Sequence, residues 1–288
     1  MTTNLPGLLF KLRGLKSTKD WNSLETLLQR RELWLSSPDR FNDPFEGHVS
    51  MKAQLSKEEA RAFSYRKAKE SGVGNRAERR TRGRSAASTL AHGFEVNNHL
   101  PGLSSIGVLC LMDLAGIEEP SNEILVWSHY AASHKGVALG FRVRRSSHAN
   151  LFGLADRVEY DVKPDIGLGD DEAYRKAILT KAPCWRYERE WRVVSSFRQS
   201  LPEIQESLDA GDFDLGGNMH HFRLNEPVAN ASAYFDSDDL AEIQFGARLT
   251  EDEKSRIVSI ARACGLAPDF VNVKLHPTDF ALVRETYR

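Results

Sequence analysis

The chain has 288 residues, 41% of them hydrophobic and 27% charged, with a formal net charge of -1. That composition is ordinary for a soluble globular protein and excludes a disordered or collagen-like chain. Three widely spaced cysteines without a CxxC pair argue against a disulfide framework or a thiolate zinc site.

In chain order, Leu8–Leu12 reads as a first strand. Ser17 or Thr18 caps a helix from about Asp20 to Arg31, with Trp21, Leu24, Leu27 and Leu28 as its apolar stripe. Leu33–Ser36 is a short second strand that stops at Ser37-Pro38-Asp39. Phe41-Asn42-Asp43-Pro44-Phe45-Glu46 forces a turn, because proline pushes the preceding residue out of the helical region. Asp43 and Glu46 there either face a ligand or bond to local backbone. Ser56 and Glu59 have capping-box spacing at the start of another helix.

Between Arg61 and Arg84 the character changes: the window is strongly basic and poor in apolar residues. It reads as part of a helical, basic insertion at 51–105 within a single domain spanning 1–288. The insertion is either a solvated lobe or a surface for nucleic acid or another polyanion.

Ile106–Leu111 is a buried-type strand, and Asn122–Ala132 a helix ended by Lys135-Gly136. Val137–Val143, Arg157–Val162 and Trp185–Ser195 add strands, with a helix near Asp171–Lys181. A strand at Ala241–Phe245, a helix from Glu251 to Cys264 with a Thr250/Glu253 capping box and a Gly265 stop, and a last strand at Phe270–Leu275 complete the pattern. Helices and strands do not alternate strictly, so the expected class is α+β: a mixed, largely antiparallel sheet core with flanking helices. No apolar run is long enough to span a membrane and no signal peptide precedes the first strand, so the cytoplasm is the expected location.

Two segments carry chemistry. Ser128, His129, Tyr130, His134 and Lys135 offer donors beside a helix end that suit a phosphate or a ribose, or else Trp127 and Tyr130 simply pack. His129 and His134 stand five apart, too far around a helix to share a metal, and no metal is expected. Trp185–Arg192 read as a strand puts Arg186, Glu188, Glu190 and Arg192 on one face, with the two carboxylates roughly 7 Å apart. Trp185, Tyr187, Trp191 and Val193 occupy the other face, interrupted by Arg189. The carboxylates are either a salt-bridged ladder or a general-base or oxocarbenium-stabilising pair. His220-His221 is assigned no role.

Five motifs together resemble bacterial domain-of-unknown-function family 2971. They are Phe10-Lys11-Leu12-Arg13, Leu33–Pro38 running into Phe41–Glu46, Trp127–Tyr130 with His134–Val137, Trp185–Arg192, and Ile243-Gln244-Phe245-Gly246. Phe10 departs from the tyrosine expected there. A looser resemblance in layout, to ADP-ribosyltransferases, implies an NAD-consuming enzyme, a toxin or phage-defence effector. It assigns Glu190 to catalysis with Glu188 assisting, and Arg13, Lys11, His129, Tyr130, Asn42 and Asp43 to NAD. Two alternatives stand beside it: a non-catalytic nucleotide or nucleic-acid binding module, and a metal-dependent phosphoester hydrolase using Asp43, Glu46 and Glu188.

Overall fold

The computed structural model describes residues 5–53, 56–70, 75–92, 94–99, 106–145, 150–166, 172–194, 222–223 and 232–288. It divides into two compact units: residues 1–42, 102–160 and 183–288 form the first, and residues 43–101 and 161–182 the second.

The first unit is built on an eight-stranded sheet. Its strands in chain order are β1 (Leu8–Gly14), β2 (Val108–Met112), β3 (Gly136–Arg142), β4 (Asp156–Arg157), β5 (Glu190–Val194), β6 (Leu240–Phe245), β7 (Asp269–Leu275) and β8 (Leu282–Thr286). Across the sheet they run β8-β7-β6-β3-β1-β2-β5-β4. Every pairing is antiparallel except β6–β7. The fold is α+β, as the pattern of elements implies. Buried β1, β2, β3 and β6 are dense in Leu, Val and Phe, as central strands covered on both faces require. β8 was not anticipated, because Leu282–Thr286 has only two apolar residues followed by Arg, Glu and Thr, without alternation, and lies at the sheet edge.

Two hydrophobic clusters mark the two faces. Leu9, Leu111, Leu139, Trp191 and Val193 pack with Leu24, Leu27 and Leu28 of helix α1 (Thr18–Arg30). Ile257, Val258 and Ala261 of a later helix join the same cluster. Phe10, Leu12, Met112 and Ala138 pack on the opposite face with Val126 and Trp127 of helix α2 (Pro120–Tyr130). α1 takes the expected apolar stripe, and Ser17 and Asp20 close a capping box at its start. The later helix, α3 (Glu251–Ala263), has the expected Thr250/Glu253 box, and Gly265 follows it at φ 71°.

The helix expected to run to Ala132 stops at Tyr130, and Ala132, Ser133 and His134 follow with φ of 52°, 59° and 67°. Three consecutive left-handed non-glycine residues are costly, so tertiary contacts hold the turn. His134 and Gly136 supply carbonyls to the Arg248 and Gly246 amides.

The second unit contains residues 51–101 of the stretch read as a helical insertion at 51–105. Helices Lys57–Glu70 and Arg76–His92 pack together, with strands His48–Ala53 and Phe94–His99 paired at either end. Strand Asp165–Ile166 adds in parallel to His48–Ala53. Ala60, Ser64, Gly83 and Ala87 are buried, so small side chains set a close helix approach. Ser56 and Glu59 form the expected capping interactions. His220-His221 lies outside the described residues.

Candidate functional site

The segment from Trp185 to Arg192 is not one strand. Pro183–Glu188 forms a 3-10 helix, Arg189 turns the chain at φ 47°, and the strand begins only at Glu190. Arg189, the residue that broke the alternation, is where the chain turns. Its carbonyl accepts from the Asp113 amide at 3.1 Å and its guanidinium meets Asp113 at 3.5 Å. It also lies against Gly116, where an added Cβ would stand 2.6 Å from its Nε.

The expected burial is inverted as a result. The carboxylates are interior, with Glu188 0% and Glu190 2% exposed, while Trp185 and Tyr187 are half-buried. From Glu190 onward the alternation holds: Trp191 and Val193 enter the α1-side cluster, and Glu190 and Arg192 take the α2 side.

On that α2 side a compact polar group forms. Arg192 donates to Glu190 through Nε at 2.8 Å and a terminal nitrogen at 2.9 Å, a two-pronged grip on both carboxylate oxygens. The Arg192 guanidinium also lies 5.2 Å over the Phe41 ring. The Tyr130 hydroxyl donates to Glu188. Burial first, then the Glu188 carboxylate, push the Tyr130 phenol up, so it stays a protonated donor. Tyr187 and His129 meet at 2.9 Å between the hydroxyl and Nδ1, and the exposed His129 stands edge-on to Tyr187. The Tyr160 hydroxyl accepts from the Glu190 amide at 2.7 Å. Cys110, paired across the sheet with Arg192, has its thiol pushed up by burial and then by Glu190, which removes it as a nucleophile.

Of the other candidate residues, Lys11 lies within the field of Glu190, whereas the charge acting on Arg13 is that of Asp20. Lys11 donates to the Cys110 carbonyl at 3.0 Å, and loss of hydration lowers its proton affinity. Alternation along β1 places Lys11 and Arg13 on the face of Leu9, towards α1, and Phe10 and Leu12 on the Glu190 face. Arg13 therefore stands on the opposite side of the sheet from Glu190 and Tyr130. It opens onto a 390 Å³ cavity lined also by Lys19, Arg30 and Trp34, in which neither Glu188, Glu190 nor Tyr130 takes part. Asn42 is exposed. Asp43 is buried and accepts from the Phe45 amide at 2.9 Å, which is the local turn-capping alternative. Among the described residues no cluster of three His, Cys, Asp or Glu is arranged to hold a metal ion. No described helix is long and apolar enough to cross a membrane.

Residues 126–193, running from α2 to β5, match the family model described as Protein of unknown function (DUF2971). The matched segment holds Tyr130, Glu188, Glu190 and Arg192, and lies apart in sequence from Lys11, Arg13, Asn42 and Asp43. No curated protein and no solved structure matches the chain.

The matched segment also contains His134, which stacks on the buried Trp127 at 6.4 Å and meets Ser128 Oγ through Nε2 at 3.2 Å. The Ser128 hydroxyl donates to the Ile124 carbonyl at 2.7 Å, so His134 Nε2 must carry the proton and donate to Ser128. Burial first, and then Arg248, lower the proton affinity of His134. The folded state therefore resists protonation that the unfolded chain accepts near pH ~6.5. Stability is fully present above that value and falls as pH drops from it towards the lower folded-state pKa. Chemical denaturation between pH 8 and pH 5 should show this loss, and His134→Gln should flatten it. An unchanged pH slope in the variant refutes the assignment.

Two contributors escaped the sequence reading. Asp113 and Tyr160 position Arg189 and Glu190, yet each is an unremarked polar residue after or beside a strand with no motif around it. The cavity at Arg13 had a signal: Lys19, Ser23, Thr26 and Arg30 recur at helical spacing on the face of α1 that its apolar stripe leaves free.

Proposed function

We propose that the protein is an NAD-consuming enzyme of ADP-ribosyltransferase type whose reaction centre is the Glu188–Glu190–Tyr130 group. The observation that carries this reading is the pair of interior carboxylates beside half-buried aromatic rings on the α2 face. Aromatic rings suit a cationic pyridinium ring, through the negative face of their π-systems. A fixed carboxylate in a site shielded from water suits an oxocarbenium ion.

In the reaction the bond between the ribose C1 and the nicotinamide nitrogen breaks, and its electron pair leaves with nicotinamide. Glu190 and Glu188 stabilise the ribosyl cation through their field from the interior, the half-buried Tyr130 and exposed His129 border the nicotinamide, and the proton of the attacking acceptor hydroxyl leaves to solvent. Arg13 is left out of this centre because it stands on the other face of the sheet. The three cysteines that remain free thiols suit a cytoplasmic setting, where a toxin or defence effector of this kind would act.

The acceptor we assign is nucleic acid. In the second unit Arg61, Arg66, Lys69, Arg76, Arg80 and Arg84 are all exposed on the packed helix pair, and phosphate backbones are held by such charge.

The test incubates the protein with NAD, with and without RNA or DNA. Nicotinamide release is expected, falling about a hundredfold or more in Glu190→Gln. Neutralising Arg76 and Arg80 together is expected to reduce transfer to nucleic acid while leaving release of nicotinamide to water unchanged. Absence of both nicotinamide release and a melting shift at millimolar NAD would falsify the enzyme reading.

A further inference from the structure

The cavity on the α1 face has a composition that a merely structural groove does not need. Lys19, Ser23, Thr26 and Arg30 lie at i, i+4, i+7 and i+11, which puts them in one row along α1. That row lines a 390 Å³ cavity together with Arg13 from β1 and the 45%-exposed Trp34. The volume falls within the range of small-molecule sites.

Three cations thus converge on one space. Glu32 is the acidic residue in its lining, and its carboxylate accepts from the Ser232 hydroxyl. Asp20, whose field reaches Arg13, is engaged by the Ser17 and Lys16 amides at the helix cap. Among the described residues no carboxylate lies within ion-pair distance of Arg13, Lys19 or Arg30, and the Arg13 Nε is buried without a hydrogen-bond acceptor. Burial lowers the proton affinity of Arg13, so the folded chain bears a cost to hold this charge here. An anion entering the cavity would relieve that cost.

We propose that this cavity is a binding site for a nucleoside polyphosphate, with its phosphates on Arg13, Lys19 and Arg30 and its base on Trp34. Three cations match two or more phosphates better than one. The Ser23 and Thr26 hydroxyls stand between the charged ends of the row, where they can donate to phosphate or ribose oxygens. Trp34 offers an open π-face of the kind on which any base stacks. The site is separate from the carboxylate group, since it lies on the other face of the sheet and shares no residue with it.

The experiment is calorimetric titration of the full chain with ATP, in EDTA so that no metal bridges the phosphates, with inorganic pyrophosphate and adenosine as partial probes. ATP is expected to bind, and each of Arg30→Ala and Trp34→Ala to weaken it at least fivefold. Both residues are exposed, so the variants should stay folded, which thermal melting checks. Pyrophosphate and adenosine are each expected to bind more weakly than ATP. Three results overturn the proposal: no ATP binding at millimolar concentration, ATP binding unaffected by either variant, or pyrophosphate binding as tightly as ATP. Nicotinamide release from NAD should be the same in Trp34→Ala as in the parent, so failure of this site and failure of the proposed NAD reaction are read separately.

Discussion

Replacing Arg192 with alanine should cost about 3–5 kcal/mol of folding stability, measured as a lower urea midpoint with an unchanged slope. The size follows from what is left behind. Glu190 is 2% exposed, and Arg192 contacts both of its oxygens at 2.8 and 2.9 Å. Truncation removes the two-pronged counter-charge and the packing against Phe41 together, from a buried carboxylate that keeps the Cys110 thiol and the field of Lys11. The contribution of the pair itself is a different quantity. A double replacement, Glu190→Leu with Arg192→Met, should recover most of the loss, because two apolar groups of similar volume carry no desolvation cost. A loss below about 1 kcal/mol in Arg192→Ala, the range of exposed ion pairs, would mean that Glu190 is hydrated in solution. In that event the enzyme proposal loses its low-dielectric centre as well.

The same residues show how far the sequence was legible. Periodicity located α1, α3 and the buried strands, since an apolar stripe or a run of Val, Leu and Phe has one physical meaning wherever it packs. Capping boxes at Ser56 and Thr250 were equally local and equally readable, whereas at Ser17 only a cap at Ser17 or Thr18 was legible. The segment at 185–192 failed because its pattern admits two backbone solutions. Alternation requires extended residues throughout, yet Arg189 adopts a left-handed turn that contacts from Asp113 and Gly116, more than seventy positions earlier, hold in place. No nearest-neighbour rule contains that information. The pairing of Tyr130 with Glu188 has the same character: each stood out on residue type, but only the sheet order β1-β2-β5, with α2 packed on one face, brings them together. Arg13 shows the converse. The expected strand stopped at Leu12, short of it, and in β1 the parity of the strand puts Arg13 on the opposite face from Glu190, where a different ligand chemistry fits.

Gly136→Ala should be the other severe substitution, at or above the upper end of the roughly 1–3 kcal/mol typical of overpacking. A Cβ at Gly136 would sit 2.1 Å from the Arg13 carbonyl oxygen and 3.0 Å from that of Ala131. Both are backbone atoms, so no side chain can swing aside. The neighbouring glycines have related constraints: a Cβ at Gly14 would meet the Ala132 Cβ at 2.6 Å, and one at Gly246 the His134 carbonyl oxygen at 2.4 Å. Gly14, Gly136 and Gly246 thus keep the ends of β1, β3 and β6 open for the left-handed turn at 132–134. That turn in turn fixes His134 against Trp127 and Ser128. Gly136→Ala should therefore lower the melting temperature and also weaken the acid-side pH slope assigned to His134, because the ring loses the environment that suppresses its protonation. Gly7→Ala is the control, with nothing within 4 Å of the added carbon and an expected change within about 0.5 kcal/mol. Equal melting temperatures for the two variants would show that the turn gives way freely, and that the glycines at the strand ends are not what holds it.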